Sequence, residues 1–165
     1  MANTVKNTVK SRKVAALIAN GFDGKHLDAM KKALSAEGAL LKTVAPALGV
    51  IEKAEGNGIP ADFSLLTAAS VLFDAVYIPG GKRSIATLSG NADACHFVDE
   101  AYKHCKAICA TGETAPFLDN THASEAQDDA AVIIASKPGD AAKDFIAAIA
   151  NHRNWDREAV RKVPA

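Results

Sequence analysis

The sequence contains few aromatic residues, no excess of either charge and no long apolar run. There are one Trp and two Tyr among 165 residues, so a platform of aromatic side chains for stacking nucleic-acid bases is not expected. Lys plus Arg and Asp plus Glu both number 19, which removes the general attraction of basic proteins for nucleic acid or anionic membranes. Apolar runs extend for only a few residues, against the roughly 20 that span a bilayer. We therefore expect neither nucleic acid nor a membrane as partner.

The amino-terminal residues lack the apolar stretch of a secretory signal. We expect a cytoplasmic protein, although secretion of a longer parent stays open. Three cysteines, Cys95, Cys105 and Cys109, form an odd set with wide spacing. Such a set is neither a disulfide framework nor a Cys-x-x-Cys metal or redox pair. The expectation is reduced thiols packed in the interior.

The histidines and glycine pairs are equally uninformative as motifs. No two histidines have the spacing of a zinc or iron site, so we expect them to be surface or helix-capping side chains and expect no bound metal. Gly80-Gly81-Lys82 and the pair Gly21 and Gly24 match neither the dinucleotide nor the Walker phosphate loop, which favours simple turns. The five histidines are His26, His96, His104, His122 and His152.

The length suits one domain, and the apolar pattern predicts alternating strands and helices. Residues 1–12 are polar and basic and are interpreted as a linker or lead-in, with the domain at 13–165. Residues 14–19 form a continuous apolar run ended by Asn-Gly, typical of a strand buried on both faces, which we place at about 13–19. Leu27, Met30 and Leu34 recur at helical spacing, and Gly38 is placed to end that helix.

The rest of the chain continues the same alternation. It predicts a right-handed parallel sheet covered on both faces by helices, which is a flavodoxin-like three-layer α/β sandwich with a small inserted β-hairpin. Asp140 is predicted to open the last helix. The further predicted elements are strands at 40–45, 75–78, 107–110 and 130–135, a hairpin at 50–60 and a helix between 91 and 104.

Four short segments, in order along the chain, carry a family resemblance. They are residues 19–23 (Ala-Asn-Gly-Phe-Asp), 77–82 (Tyr-Ile-Pro-Gly-Gly-Lys), 107–110 (Ala-Ile-Cys-Ala) and 136–140 (Ser-Lys-Pro-Gly-Asp). Together they resemble the landmarks of the PfpI-like superfamily, which is related to class I glutamine amidotransferases. The resemblance implies that the catalytic edge is the one where the parallel strands end.

In active members of that superfamily, the resemblance implies a cysteine on a strand-to-helix elbow and a carboxylate that bonds its thiol. By alignment, the elbow position is Gly112, followed by Glu113, and the carboxylate position is Gly21. Glycine supplies neither a nucleophile nor a proton acceptor, so the chemistry that needs a thiolate and its partner is not expected. Asp23, Thr111 and Glu113 are the polar groups left near this vestigial pocket, and a small-ligand role for them is a hypothesis.

Cys109 is the rival nucleophile, because Ile-Cys-Ala at 108–110 copies the start of the elbow. The likeness ends at residue 111, because Thr111 separates this segment from Gly112. We therefore expect Cys109 to be a buried structural thiol. The alternative function is a free-standing PfpI-like cysteine hydrolase or glyoxalase-type enzyme using Cys109. A redox sensor is a third possibility.

A closer resemblance is carried by residues 100–104 (Glu-Ala-Tyr-Lys-His), 152–155 (His-Arg-Asn-Trp) and 162–165 (Lys-Val-Pro-Ala). These look like the carboxyl-terminal domain of large-subunit haem catalases. The resemblance implies a non-catalytic accessory domain, with haem and hydrogen peroxide dismutation in a core absent from this chain and no cofactor of its own. Implied partners are the catalase core, neighbouring subunits and unfolded client proteins held without ATP, and self-association is open.

Overall fold

The computed structural model describes residues 7–126 and 128–159. Within them the chain alternates strands and helices, as the sequence predicts. The strands are β1 (Lys13–Leu17), β2 (Leu40–Ala45), β3 (Val50–Glu52), β4 (Gly58–Pro60), β5 (Phe63–Ser64), β6 (Ala75–Ile78), β7 (Ala107–Thr111) and β8 (Val132–Ala135). The helices are α1 (Gly24–Ala36), α2 (Lys82–Ser89), α3 (Ala92–Lys103), α4 (Ala115–Leu118) and α5 (Pro138–Ala150), with short 3-10 turns at Ser70–Leu72, His122–Glu125 and Trp155–Ala159.

Six strands form one sheet in the order β5-β2-β1-β6-β7-β8. Every pairing in it is parallel, which the connecting helices allow. β3 and β4 form a separate antiparallel hairpin, with Ile51 opposite Ile59. The flavodoxin-like three-layer prediction with an inserted hairpin is confirmed.

Alternate side chains of the sheet enter two cores, one on each face. In β1, Val14 and Ala16 face the core that contains α1 and α5, through side chains such as Met30 and Phe145. Ala15 and Leu17 face the core covered by α2, α3 and α4. The central strands are therefore buried on both sides, which is why their sequences are continuous apolar runs.

Several boundaries differ from the sequence prediction. β1 ends at Leu17 and β8 begins at Val132. The last helix begins at Pro138, two residues before Asp140, because proline fits the first helical position and needs no N–H partner there. The short elements α2, α4 and β5 are absent from the prediction, since eight residues or fewer show too little periodicity.

The described part of the lead-in belongs to the domain. Val9 is buried in the core on the α1 and α5 face, and the Asn7 amide donates to the Ala150 carbonyl at 3.0 Å. Residues 7–12 of the predicted linker therefore contact the domain, while residues 1–6 lie outside the described residues. Among those that are described, no helix is long and apolar enough to cross a membrane.

At the other end, the turn Trp155–Ala159 is held by a buried arginine. Arg157 is 1% exposed, and its Nη1 donates to the carbonyls of Tyr102 at 3.1 Å and Lys106 at 2.9 Å. Its guanidinium lies 4.7 Å from the Tyr102 ring centroid and pairs with Asp129, with Nη2 to Oδ1 at 3.2 Å. The tail thus closes onto α3 and the start of β7, although residues 160–165 of the predicted surface tail are outside the described range.

Candidate functional site

Three turns meet where β1, β6 and β7 end, at the carboxyl edge of the sheet. A Cβ on Gly80 would lie 3.0 Å from the Thr111 carbonyl oxygen and 3.3 Å from Gly112 Cα. The Gly80 carbonyl also accepts a hydrogen bond from the Asp23 amide at 2.8 Å. A side chain at position 80 would push the neighbouring backbone aside by a few tenths of an ångström, so the turns that the sequence singles out come together closely.

A chain of polar side chains crosses this edge. Nδ1 of His26 lies 3.1 Å from Oγ1 of Thr111, which lies 2.6 Å from the Tyr77 hydroxyl. On the other side of the ring, Nε2 lies 3.5 Å from Oδ2 of Asp23, whose Oδ1 caps α1 by accepting from the His26 amide at 3.0 Å. The arrangement is carboxylate, imidazole, hydroxyl and phenol in series.

The protons of this chain can be placed without leaving a polar group unpaired. If Nε2–H of His26 is directed at Asp23, Nδ1 accepts from the Thr111 hydroxyl, and Thr111 accepts from the Tyr77 hydroxyl. Tyr77 and Thr111 are fully buried, and burial raises the pKa of Tyr77 above its usual value. Both hydroxyls therefore stay protonated and serve as an internal hydrogen-bonded network that solvent does not reach.

Gly112 has a φ of +81°, a left-handed conformation that side chains rarely adopt. A Cβ there would lie 3.2 Å from Gly80 Cα and 3.3 Å from Cε1 of His26. The elbow that the resemblance implies is thus present in the backbone, but the imidazole of His26 lies against it. Side-chain exposure of His26 is 18%.

His26 corrects the expectation that every histidine is a surface or capping side chain. Its ring lies inside the site and connects Asp23 to Thr111. The signal for it was the order strand, Asp23 and helix: an N-cap places its first helical turn over the edge of the sheet, so a polar residue three positions later faces the neighbouring strand end.

Gly21, the predicted carboxylate position, is directed away from the elbow. A Cβ on Gly21 would lie 2.7 Å from Cβ of Arg83, and its amide donates to the Glu52 carbonyl at 2.8 Å. Position 21 therefore faces α2 and the hairpin, where Arg83 and Glu52 pair at 3.3 Å. The side chain that faces the elbow comes from residue 26 instead.

The polar residues that the sequence predicts around the vestigial pocket do not all lie together. Glu113 is exposed to solvent, so it is not joined to Asp23 and Thr111 in one pocket. Next to it, Thr114 is 1% exposed, and its Oγ1 has no hydrogen-bond partner among the described residues. Its amide donates to the Gly112 carbonyl at 3.0 Å. An unpaired buried hydroxyl costs stability, and this one lies one turn beyond the elbow.

Cys109 lies in the middle of β7, between Tyr77 of β6 and Ile133 of β8. It is fully buried, and burial raises the pKa of its thiol above the usual value. A reactive cysteine needs the opposite shift. Cys105 is also buried, Cys95 is partly exposed, and none of the three is in a disulfide.

Side chains that could bind a metal ion lie apart from one another in the described residues. Across residues 7–126 and 128–159, no group of three or more His, Cys, Asp and Glu side chains is placed to hold a metal ion. Haem iron takes an axial His, Cys, Met or Tyr in an apolar slot. The buried Tyr77 and Cys109 instead pack within the core, and the Tyr77 hydroxyl is bound to Thr111, so these residues do not fit a haem.

Solved structures with this fold share it at low sequence identity. A ThiJ/PfpI domain protein from Brachyspira murdochii superposes with a TM-score of 0.67 at 17% identity, covering 86% of this chain and 95% of that one. A mutant of a DJ-1 superfamily protein from Salmonella typhimurium gives 0.62 at 24% identity, covering 77% of this chain and 75% of that one. Both support the PfpI-like fold.

Curated proteins of similar sequence are catalases. Catalase-2 of Bacillus subtilis is 38% identical over 94% of this chain and 22% of its own length. Catalase-1 of Neurospora crassa is 35% identical over 92% of this chain and 24% of its own. The chain thus spans about a quarter of the length of these relatives. Residues 10–159 match the profile of the C-terminal domain found in long catalases, and the chain belongs to that family.

Proposed function

We propose that this chain is the accessory domain of a haem catalase and performs no chemistry itself. The observation that carries the proposal is the family match over residues 10–159, because it covers the entire sheet and all its helices. In the proposed parent protein, haem and hydrogen peroxide turnover belong to the preceding core. The domain's contribution is to pack on that core and on neighbouring subunits.

The site at the carboxyl edge supports a non-catalytic role. The elbow residue is Gly112, and the space beside it is occupied by His26, which is itself bonded to Thr111. Thr111 is the hydroxyl nearest the imidazole, but it is fully buried, so a substrate has no path to it. An enzyme needs its nucleophile exposed to the substrate and activated by a base.

Use of Cys109 by a hydrolase, a glyoxalase-type enzyme or a redox sensor is disfavoured on the same grounds. Its thiol is enclosed by strands on both sides and carries a raised pKa. Thiolate chemistry and oxidation both require exposure and a lowered pKa. Cys109 is better explained as a small apolar side chain of the core.

The purified chain tests the absence of chemistry directly. We expect no peptidase, glyoxalase or peroxide-consuming activity, and no absorbance of bound haem after addition of haem and desalting. The matched control is the variant Cys109→Ala, because a contaminating enzyme would be unaffected by it. Activity that copurifies with the chain and disappears in Cys109→Ala with the fold intact would establish the hydrolase or glyoxalase alternative instead.

A chaperone-like function is the finer part of the proposal. Several large apolar side chains are more than half exposed, including Leu48 and Val50 at the hairpin and Trp155. Such surface is available to bind an unfolded chain when no catalase core covers it. We expect the isolated domain to suppress light scattering of a heat-unfolding test enzyme at equimolar ratio without ATP. Unchanged scattering together with no binding of a hydrophobic dye would remove this function and leave the structural one.

A further inference from the structure

A groove lies at the opposite edge of the sheet from the site described above. It has a volume of about 260 Å³, and its lining includes Val71, Lys103, Lys106, Arg153 and Trp155. Lys106 immediately precedes β7 and Arg153 follows α5, so the groove opens where the parallel strands begin. We call it the basic groove.

Two cations of the basic groove have no carboxylate within ion-pair distance among the described residues. Nζ of Lys106 donates to the Ser70 carbonyl at 2.7 Å and lies 3.5 Å from Ser70 Oγ. Nη1 of Arg153 donates to the His152 carbonyl at 2.8 Å. Within residues 7–126 and 128–159, neither Lys106 nor Arg153 makes an ion pair with Asp or Glu.

Asp74 is the carboxylate whose charge acts on both Lys106 and Arg153, and it is itself paired with Arg12 at 3.3 Å. Lys103 and His104 both lie near Glu100, at 4.0 Å and 3.3 Å, and Glu158 is the carboxylate of the lining itself. Burial, and then the charge of Arg153, lower the pKa of Lys106 to about 8, so the ammonium is still charged at neutral pH. A buried cation whose carboxylates lie beyond hydrogen-bond distance is poorly compensated, and an incoming carboxylate would improve that balance.

Exposed apolar side chains border the basic groove. Val71 is 77% exposed and Trp155 is 62% exposed. A second groove of about 390 Å³ shares Val71 and His104 with it and continues to Leu66, which is 78% exposed. Aromatic and Arg side chains at the centre of an apolar patch are typical of protein interfaces.

The basic groove lies close to the point where the described residues begin. The Asn7 amide is bonded to the carbonyl of Ala150 at the end of α5, three residues before Arg153. The family is a C-terminal domain, and about three quarters of the related catalases lie outside the region that this chain matches. In the related catalases, most of the polypeptide therefore lies outside the matched domain and is available to cover such a surface.

We propose that the basic groove docks an acidic segment of the catalase core, with a carboxylate against Arg153, beside the buried Lys106, and apolar side chains against Val71 and Trp155. The inference rests on the accessory role proposed above and names the surface that performs it. Lys106 is 2% exposed, so the docked carboxylate would contact Arg153 and act on Lys106 through its charge.

The test uses a chimera in which this chain replaces the matching segment of Catalase-2 from Bacillus subtilis. Hydroxyl-radical footprinting compares oxidation of Trp155, Val71 and other exposed apolar residues in the chimera and in the isolated chain. We expect the oxidation rate of Trp155 to fall roughly tenfold in the chimera, as for a side chain entering a dry interface core. Arg153→Gln and Lys106→Met should restore much of the rate seen in the isolated chain.

Arg83→Gln is the matched control, because Arg83 is an exposed cation paired with Glu52 on the other edge. It should leave Trp155 protected. The footprint of Lys106→Met is compared only if its circular dichroism matches that of the parent chain. Arg153→Gln changes a residue on the surface of the groove and gives an independent measurement of Trp155 oxidation.

The remaining outcomes separate this inference from the accessory role. If the chimera protects the hairpin or Ile134 while Trp155 reacts as in the isolated chain, the accessory role stands and the basic groove is wrong. If no apolar side chain is protected, both fail. Protection that neither charge variant reduces contradicts the carboxylate, and protection of the isolated chain by inorganic phosphate alone would make the groove a small-anion site.

Discussion

The imidazole of His26 lies against Gly112, so that a Cβ on residue 112 would be 3.3 Å from Cε1 and 3.5 Å from Nδ1. The same imidazole is fixed by Thr111 at 3.1 Å and by Asp23 at 3.5 Å. A side chain at the elbow therefore meets a ring that cannot move without losing its partners. The elbow is present as a backbone turn, and the hydrogen-bonded side chains around it leave room only for glycine at position 112.

Gly112→Ala should destabilise the domain by about 1 to 3 kcal/mol, since it strains a left-handed residue and crowds His26. The matched control is Gly139→Ala in the first turn of α5, where a Cβ would meet nothing within 4 Å. That variant should be neutral or stabilise by about 0.5 kcal/mol. Urea unfolding of the two variants measures both values, and equal stabilities would contradict the packing described for the elbow.

Two neighbouring threonines should respond in opposite ways to the same substitution. Thr111→Val removes the hydroxyl between His26 and Tyr77 and should cost about 1 to 3 kcal/mol. Thr114→Val removes a buried hydroxyl with no partner among the described residues, and should be neutral or stabilise by about 1 kcal/mol. The comparison of thermal midpoints is internally controlled, because the chemical change is identical.

The buried pair of Arg157 and Asp129 should make the largest contribution to the loss of unfolding free energy at acidic pH. Burial raises the pKa of Asp129, but the hydrogen bond and charge of Arg157 and the amide of Ala131 hold it below its usual value. A depressed carboxyl pKa gives stability that is present above the unfolded-state pKa and is lost as the pH falls below it. The unfolding free energy should therefore fall more steeply below about pH 5 in the parent than in Asp129→Asn.

Removing only the arginine of that pair should be more damaging than removing both charges. Arg157→Met leaves the Asp129 carboxylate buried and should cost about 3 to 5 kcal/mol. The double variant with Asp129→Asn should recover part of this loss. A double variant as unstable as the sum of the two single variants would show that the two side chains act independently.

Lys106 should contribute an increase of stability with alkaline pH. Its pKa in the folded chain is lowered to about 8, first by burial and then by Arg153, so between this value and the unfolded-state pKa the unfolded chain binds more protons. The unfolding free energy then rises across that interval. The difference between parent and Lys106→Met, measured in urea at pH 7 and pH 10, should change by about 1 to 3 kcal/mol. A difference that is constant with pH would mean that Lys106 is not desolvated.

Thiol labelling distinguishes a structural from a reactive Cys109. In the folded chain, Cys95 should be the first to be alkylated, because it alone of the three is partly exposed, and slowly, because burial and Asp99 raise its pKa. Cys105 and Cys109 should react only when the chain unfolds. Rapid labelling of Cys109 at mildly acidic pH would instead support an activated thiol.

The sequence predicts most of the sheet and much less of the site. The bounds of β2 and β6 match their predicted ranges, since strands buried on both faces show as apolar runs with sharp ends. α2 was missed, because its eight residues are largely polar and follow a glycine turn. The sequence pattern also does not predict that Arg157 is buried, since its partner Asp129 lies 28 positions earlier in the chain.

The residues of the site are harder to predict from sequence than the strands. Spacing along a turn identifies which segments meet at the edge, and residues 19–23, 79–81 and 111–113 do meet. It does not give the direction of a side chain, which depends on φ and ψ at each residue. With φ at +88°, Gly21 faces Arg83, and the first turn of α1 brings His26 to the elbow instead.

The central claim is that the domain stabilises a catalase without adding chemistry, and one comparison tests it most directly. Peroxide turnover per haem and the midpoint of thermal inactivation are measured for the Bacillus subtilis Catalase-2 chimera and for the same core lacking the domain. We expect equal turnover per haem and a higher midpoint in the chimera, or a core that cannot be purified without the domain. Equal midpoints, or peroxide turnover by the isolated 165-residue chain, would contradict the account.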